Sequence, residues 1–381
     1  MIFWISIFSL MFLLYIYLGY FFLLKALDYV KSSQYSYEGG VSFEPMVTVI
    51  LAVFNESEAV ISRIENILEC NYPNESLEIL VASDGSSDET NELVSKFNNK
   101  RVKLVSSTER LGKSGIQNLA VKFAKGSILI FTDADTRFSN GFIKEIVEPL
   151  NDPGVGGVDG HLLFNVKLQS GISQGQSYYW SQELKIRTLE SNLELLAVSS
   201  GACLAVRRTL FRHLNTVAGE DCLIPLDVLD QGYSMIHASK AIAYDQMPEG
   251  SLKEFQARSR MTQRNWSGVW MYPNLLNPFL NPKISLALWS HKILRWLSPV
   301  FLIIWLSSSF FIFFNTEGQI MFFYSSFSVI FLILALVGLI FKLVGIKNLV
   351  SGIVYGFFLA NIGFFVGIVK ALLGKKIVLY K

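Results

Sequence analysis

Carboxylates gather where strand-like segments of this chain stop. Asn55-Glu56 follow Val47–Val53, Asp84 follows Glu78–Ser83, and Asp133-Ala134-Asp135 follow Ser127–Thr132. A fourth group, Glu220-Asp221, stands between Gly219 and the apolar stretch Leu223–Leu226. Taken singly, each acid is a turn former or helix cap, and Glu220-Asp221 is an acidic first turn favoured by the helix dipole. Three strand ends aimed at one crevice argue for a shared site. Asp133 and Asp135 leave an apolar strand together, which brings two hard oxygen ligands to one side of a divalent ion. Mg²⁺ or Mn²⁺ held this way keeps open positions for phosphate oxygens. Neither GxxxxGK[ST] nor GxGxxG occurs, which excludes the P-loop and the dinucleotide fingerprint. His161, His213, His237 and His291 have no paired spacing, so packing or surface roles are expected of them, and Asp88 reads as a helix cap. Cys70, Cys203 and Cys222 lack metal-site spacing and read as reduced thiols.

The elements that position these acids alternate. Val47–Val53 is a continuous apolar, β-branched run, as in a strand buried on both faces. Val60, Ile61, Ile64, Ile67 and Leu68 then recur at helical spacing. Glu78–Ser83 and Val102–Ser106 are further strands, a helix is expected near Lys113–Ala124, and Ser127–Thr132 is the next strand. Such alternation implies an α/β domain with a mostly parallel sheet, whose ligands gather at the carboxyl ends of the strands. Trp180 and Tyr178–Tyr179 lie in a helical stretch and read as packing residues.

The remaining composition belongs to a membrane. Of 381 residues, 51% are hydrophobic and only 17% charged, against about 25% charged in soluble chains. The mean hydropathy is +0.39. The net charge of +2 and the lack of a basic, aromatic-interleaved stripe argue against nucleic acid. Ile2–Leu24 carries no charge and is long enough for an uncleaved anchor. Three further spans are expected at about Trp296–Phe314, Ile320–Phe341 and Asn348–Val369. The division is thus an anchor at 1–27, an α/β domain at 44–270, an interfacial segment at 271–292 rich in Pro and aromatics, helices at 293–373 and a tail at 374–381. Lys25, Lys31, Lys342 and Lys347 flank the spans on one side, while Asn315–Gln319 has no Lys or Arg. The positive-inside rule therefore places the α/β domain in the cytoplasm, at the plasma or inner membrane. Three C-terminal spans would put Lys375, Lys376 and Lys381 outside, against that rule, unless the last segment is re-entrant or interfacial.

The ordered segments VTVILAVFNESE (47–58), VASDGSSDET (81–90), RLGKSGIQN (110–118), FTDADT (131–136), SGACLAVRR (200–208), GEDCLIPLDVLDQGY (219–233) and EFQARSRMTQRNW (254–266) resemble those of inverting family 2 glycosyltransferases of GT-A fold. The similarity is to the membrane-integrated branch near hyaluronan, cellulose and poly-N-acetylglucosamine synthases, over about Pro45–Trp270. That resemblance implies nucleoside contacts from Asn55, Glu56 and Asp84, nucleotide contacts from Arg110 and Lys113, and a metal-held diphosphate at Asp133 and Asp135. It implies that Asp221 is the general base, within reach of an acceptor hydroxyl opposite the leaving diphosphate. The arginine-rich stretch departs from the polymer-synthase pattern QxxRW. Aligned on Arg260, Met261 takes the Trp position and Ala257 the Gln position. Another register uses Gln263, Arg264 and Trp266. Arg258, Arg260 and Arg264 are suited to a diphosphate by their guanidinium forks.

The expectation is a membrane enzyme moving a hexosyl group with inversion from a nucleotide diphosphate, UDP first, to a polysaccharide hydroxyl. A ceramide-type or polyprenyl-phosphate-type lipid acceptor is the second reading, and an inactive membrane scaffold the third. The scaffold is disfavoured because Asp84, Asp133, Asp135 and Asp221 are all present.

Overall fold

The computed structural model describes residues 1–31, 43–165, 171–246, 250–315, 318–346 and 348–374, with backbone only at 165, 171–178, 251 and 349. Thr316, Glu317, Lys347 and the tail lysines lie outside the described residues, as does the side chain of Tyr178.

Helix α1 (Ile2–Lys31) leads into β1 (Val47–Val53), α2 (Val60–Leu68), β2 (Leu77–Asp84), α3 (Thr90–Lys96), β3 (Val102–Ser107), α4 (Lys113–Val121) and β4 (Ile128–Asp133). There follow β5 (Arg137–Phe138), α5 (Phe142–Val147), β6 (Val155–Asn165), α6 (Gly171–Asn192), β7 (Leu204–Arg207), α7 (Glu220–Asp230), β8 (Ser234–Gln246), α8 (Ser251–Val269) and α9 (Pro273–Leu276). The chain closes with α10 (Pro282–Asn315), α11 (Gln319–Val344) and α12 (Leu349–Leu372).

Among the described residues, eight strands form one sheet in the order β3-β2-β1-β4-β7-β6-β8-β5. The β3-β2-β1-β4 half is parallel, and β7 runs antiparallel to both β4 and β6. β1 shows why its apolar run does not alternate. Val47, Val49, Leu51 and Val53 enter the core beneath α2 and α5, while Ile50 enters the one beneath α4 and α7. Both faces are dry, so six of its seven positions are apolar, and the buried Thr48 hydroxyl donates to Glu78 at 2.6 Å. The crossovers bring the carboxyl ends of β1, β2 and β4 to one edge, as the alternation predicts.

Among the described residues, four helices are long and apolar enough to cross a membrane: α1, α10, α11 and α12 (Val350–Leu372). α10 begins earlier than the sequence reading placed it. The prolines of 271–292 do not break it, because Pro282 occupies the first turn, where no N–H is needed. Pro299 lies inside the helix and cannot bond the Arg295 carbonyl; the Ser298 hydroxyl donates to that oxygen instead, at 2.7 Å. α12 lies along α8, with Gly363 against Arg258 and Gly367 against Ser259 and Thr262. Trp180 is tied to the sheet through Nε1 and the Leu162 carbonyl, 2.7 Å.

Candidate active site

The loop after β1 is locked to the turn after β2. Asn55 has φ 53°, a left-handed value that Asn tolerates. Its N–H donates to Ser86 Oγ (3.1 Å) and its Oδ1 accepts from the Ser87 N–H (2.8 Å). Asp88 accepts from the N–H groups of Ser57 and Thr90, both at 3.1 Å, so it ties the same two loops at the start of α3. Asp84 is buried and accepts from the N–H groups of Leu111 (2.6 Å) and Gly112 (3.1 Å) and from Arg110 Nε (3.1 Å). The Arg110 guanidinium stacks over Phe54, 3.3 Å from the ring centre. Asn55, Asp84, Arg110 and Phe54 thus line one continuous edge.

Lys113 joins that edge to the acids. Its ammonium lies 2.5 Å from Asp133 and 2.6 Å from Glu220. Burial works against its charge, but the two carboxylates outweigh burial and hold it protonated well above the ordinary lysine range. Glu220 is likewise buried, and Lys113 followed by Arg264 more than offsets that penalty, keeping it ionised. Asp221 goes the opposite way: burial and then the neighbouring Glu220 charge raise its pKa, against Arg264 and the Asn265 amide. Adjacent carboxylates driven apart in this manner commonly divide acid–base work.

Two glycines make room for the pair. A Cβ on Gly201 would stand 2.5 Å from Glu220 Oε1, and one on Gly219 would collide with Asp221 Oδ1. Asn265 Nδ2 donates to Asp221 Oδ2 at 3.3 Å. Pro225, four residues on, has no N–H for the Asp221 carbonyl. That oxygen accepts instead from the Ser199 N–H (3.3 Å) and hydroxyl (3.2 Å), which fixes the start of α7.

Asp135 and Asp133 do not stand alone. Asp245, at the end of β8, has its pKa raised to about 6 by burial, with the Asp135 and Asp133 charges adding to it. Glu56 is raised by burial and by Asp135, Asp88 and Asp133. Among the described residues no three His, Cys, Asp or Glu side chains converge as a complete metal cage. Mutually repelling carboxylates nonetheless fit a Mg²⁺ or Mn²⁺ ion of the kind held by one or two carboxylates and completed by substrate phosphates and water. Asp133 and Asp135 are the residues that would hold it.

Asp245 and Arg63 escape the sequence reading. Asp245 is another carboxylate at a strand end, brought to Asp135 by pairing of β5 with β8, Arg137 opposite Tyr244. Arg63 is a lone charge on the apolar stripe of α2 and is fully buried. It donates to the Asp133 carbonyl (3.1 Å) and to Thr132 Oγ1 (2.7 Å), and burial lowers its pKa to about 9. Of the expected arginines, Arg264 reaches the site, donating to Ser114 Oγ (3.3 Å) and the Ala218 carbonyl (2.7 Å). Arg260 is near enough that Arg264 adds to burial in lowering its pKa. Arg258 faces Tyr179 and Phe364 instead. Trp266 packs on Trp270 and Trp296. The histidines find partners that spacing could not show. His237 bonds Asp159 (2.8 Å) and His161 (3.0 Å), and His291 bridges Glu183 and Glu190. All three cysteines are buried and free.

A Rossmann-like sheet with acids massed at its carboxyl edge and apolar helices attached is the GT-A architecture expected above. The chain superposes on a mannosyltransferase from Pyrobaculum calidifontis, solved with GDP-Man and Mn²⁺, at TM-score 0.72 and 20% identity, covering 98% of this chain and 100% of that one. Residues 48–214 match the Glycosyl transferase family 2 profile, and this chain carries a domain of that family. It is 24% identical over 253 residues to glycosyltransferase AglE of Haloferax volcanii, 64% of this chain and 80% of that protein. It is 30% identical over 190 residues to a poly-β-1,6-N-acetyl-D-glucosamine synthase of Staphylococcus aureus, 49% of this chain but 41% of the synthase. A β-1,3-glucosyltransferase of Escherichia coli, WfaP, named for UDP-Glc and α-D-GlcNAc-diphosphoundecaprenol, is 30% identical over 100 residues, 25% of this chain and 39% of that protein.

Proposed function

We propose that this chain is an inverting hexosyltransferase of the cytoplasmic membrane face, taking a sugar from a nucleotide diphosphate, UDP first, to a glycan hydroxyl. The observation that carries this reading is Lys113, one ammonium held between Asp133 of the DxD pair and Glu220 of the acid pair. It supports a reading in which the diphosphate lies near Asp221, the neighbour of Glu220. The nucleoside would lie along Asn55, Glu56, Asp84 and Arg110. Asp221 accepts the proton of the acceptor hydroxyl as its oxygen bonds the anomeric carbon. The bond from that carbon to the diphosphate breaks on the opposite face, and the nucleoside diphosphate leaves with the electron pair. Lys113, Arg260 and Arg264 are the cations available to the departing charge. A divalent ion at Asp133 and Asp135 would supply further charge neutralisation there.

The acceptor glycan is either a growing polysaccharide, as in the named product of the synthase relative, or a lipid-linked sugar, as in the name of WfaP. The departure from QxxRW in the arginine-rich stretch weakens the processive polymer reading and supports the lipid-linked one. The test is a panel of radiolabelled nucleotide sugars with the full chain in membranes, plus Mg²⁺ or Mn²⁺, followed by product sizing. One donor should give product; no transfer from any of them, with the chain folded, would overturn the reading.

A further inference from the structure

The turn that carries Asp133 and Asp135 is tied to α2 by a residue that packing alone does not require. α2 buries Val60, Ile64 and Ile67, and Arg63 is buried among them with no exposure. An apolar side chain would fill that stripe without the cost of taking a charge out of water. The Arg63 guanidinium donates to neutral oxygens rather than to a carboxylate: the Asp133 carbonyl (3.1 Å), Thr132 Oγ1 (2.7 Å) and Asn66 Oδ1. We propose that Arg63 is a positioning residue for the divalent-cation site. It holds the DxD turn in one shape before the ion arrives and so sets the affinity for that ion. The inference rests on the reading of Asp133 and Asp135 as the residues that hold the ion.

The contacts reach both ends of the turn. At the near end Asp133 is held twice, its carbonyl by Arg63 and its carboxylate by Lys113. At the far end Asn66, one turn of α2 beyond Arg63, takes both backbone groups of Phe138. Its Oδ1 accepts from the Phe138 N–H (2.9 Å) and its Nδ2 donates to the Phe138 carbonyl (3.0 Å). The same Oδ1 accepts from Arg63, and the Arg63 guanidinium lies over the Phe138 ring, 4.1 Å from its centre. Between the two ends Arg137 donates to the carbonyls of Ala134 (2.7 Å) and Thr136 (3.0 Å) and to Ser62 Oγ on α2 (3.0 Å). Asp135 is therefore fixed relative to Asp133 by a frame built on Ser62, Arg63 and Asn66.

Arg63 also reaches the other half of the site. Thr132 Oγ1 accepts from it and donates to the Ala202 carbonyl at 2.8 Å. Ala202 follows Gly201, the glycine that makes room for Glu220. A small divalent ion tolerates little error in the placing of its oxygen ligands, and partners behind the ligands carry much of a site's affinity. A buried guanidinium with donors in a planar fork can hold a carbonyl, a hydroxyl and an amide at once, which no apolar side chain can do.

The experiment uses the full chain in phosphatidylcholine nanodiscs. UDP is titrated over a range of Mn²⁺ concentrations, and Mn²⁺ binding without nucleotide is read by electron paramagnetic resonance, so neither readout needs turnover. Arg63→Gln loses the fork and should raise the Mn²⁺ midpoint by about 10–100-fold, the usual effect of removing a partner behind a metal ligand. Arg63→Lys keeps the buried charge with fewer contacts and should fall between Arg63→Gln and wild type. UDP affinity without Mn²⁺ should be unchanged in both, because Asn55, Asp84 and Arg110 are held by contacts that Arg63 does not share. A packing role alone predicts a lower urea midpoint and a wild-type Mn²⁺ midpoint in the folded protein, and that result overturns the inference. If Arg63→Gln does not fold, Arg63→Lys decides by the same criterion. Loss of the Mn²⁺ response in Asp135→Ala, with a wild-type response in the Arg63 variants, sinks the inference alone. No Mn²⁺ response in the wild-type chain removes the metal reading and the inference with it.

Discussion

Asp221→Asn separates chemistry from structure at the most exposed point of the proposed mechanism. The amide keeps the size of the carboxylate and can still accept from Asn265 through its oxygen, replacing the 3.3 Å bond. The Asp221 carbonyl keeps both bonds from Ser199. Two stability effects oppose each other. Removing a negative charge from the first turn of α7 forfeits its dipole interaction, about 0.3–1 kcal/mol. Removing it from beside Glu220 relieves repulsion. Because the folded pKa of Asp221 is raised, this carboxyl favours folding below its unfolded pKa, and that contribution is lost as pH rises through the folded value. Near neutral pH the substitution therefore changes stability by less than about 1 kcal/mol. Transfer should fall by about 10²–10⁴-fold, or about 3–5 kcal/mol of barrier. The assay measures UDP affinity by titration, unfolding by urea and transfer rate on the same preparations. The acid limb of kcat/KM should lie above the ordinary carboxylate range, as a property of the coupled pair, and Glu220→Gln should move it to lower pH by removing the charge that raises Asp221. Wild-type transfer in Asp221→Asn, or a loss that only tracks unfolding, would refute the assignment.

Other consequences can be checked independently. EDTA should abolish turnover, and Asp135→Ala should lose metal-dependent donor binding, read by UDP titration with and without Mn²⁺, while the protein still folds and inserts. Gly201→Ala places a methyl 2.5 Å from Glu220 Oε1; displacing Glu220 from Lys113 should lower transfer at least about tenfold with UDP affinity less affected, as a comparison of kcat with UDP titration would show. Because all three native cysteines are buried, introduced thiols report topology cleanly. Asn315→Cys should react with an impermeant reagent from outside and Asn98→Cys only after permeabilisation. Leu373→Cys should behave like Asn98→Cys, since α12 ends alongside α8, with Lys370 3.5 Å from Ser259; labelling from outside would mean that α12 crosses.

What the sequence determined by itself is what short-range chemistry dictates. Strand β1 was legible because burial on both faces favours an apolar run, interrupted only by Thr48, and α2 because its apolar residues recur at helical spacing. The acids were legible because an α/β crossover must deliver strand ends to one edge. Partnership across the fold was not legible. Asp245 stands 110 positions after Asp135 and joins the carboxylate group only through the β5–β8 pairing. Lys113 reads as a nucleotide contact, and only the closed sheet brings Asp133 and Glu220 to either side of it. Arg258 and Arg264 belong to one arginine-rich stretch, yet α8 turns Arg264 to the acid pair and Arg258 to the helices. The prolines of 271–292 read as an interfacial segment, whereas a first-turn position accommodates Pro282 in a long helix. Local propensity and periodicity act within a few residues, so composition reveals which groups are present. Which of them meet depends on contacts between segments far apart in the chain, and those are set only when the sheet and its helices close around a common core.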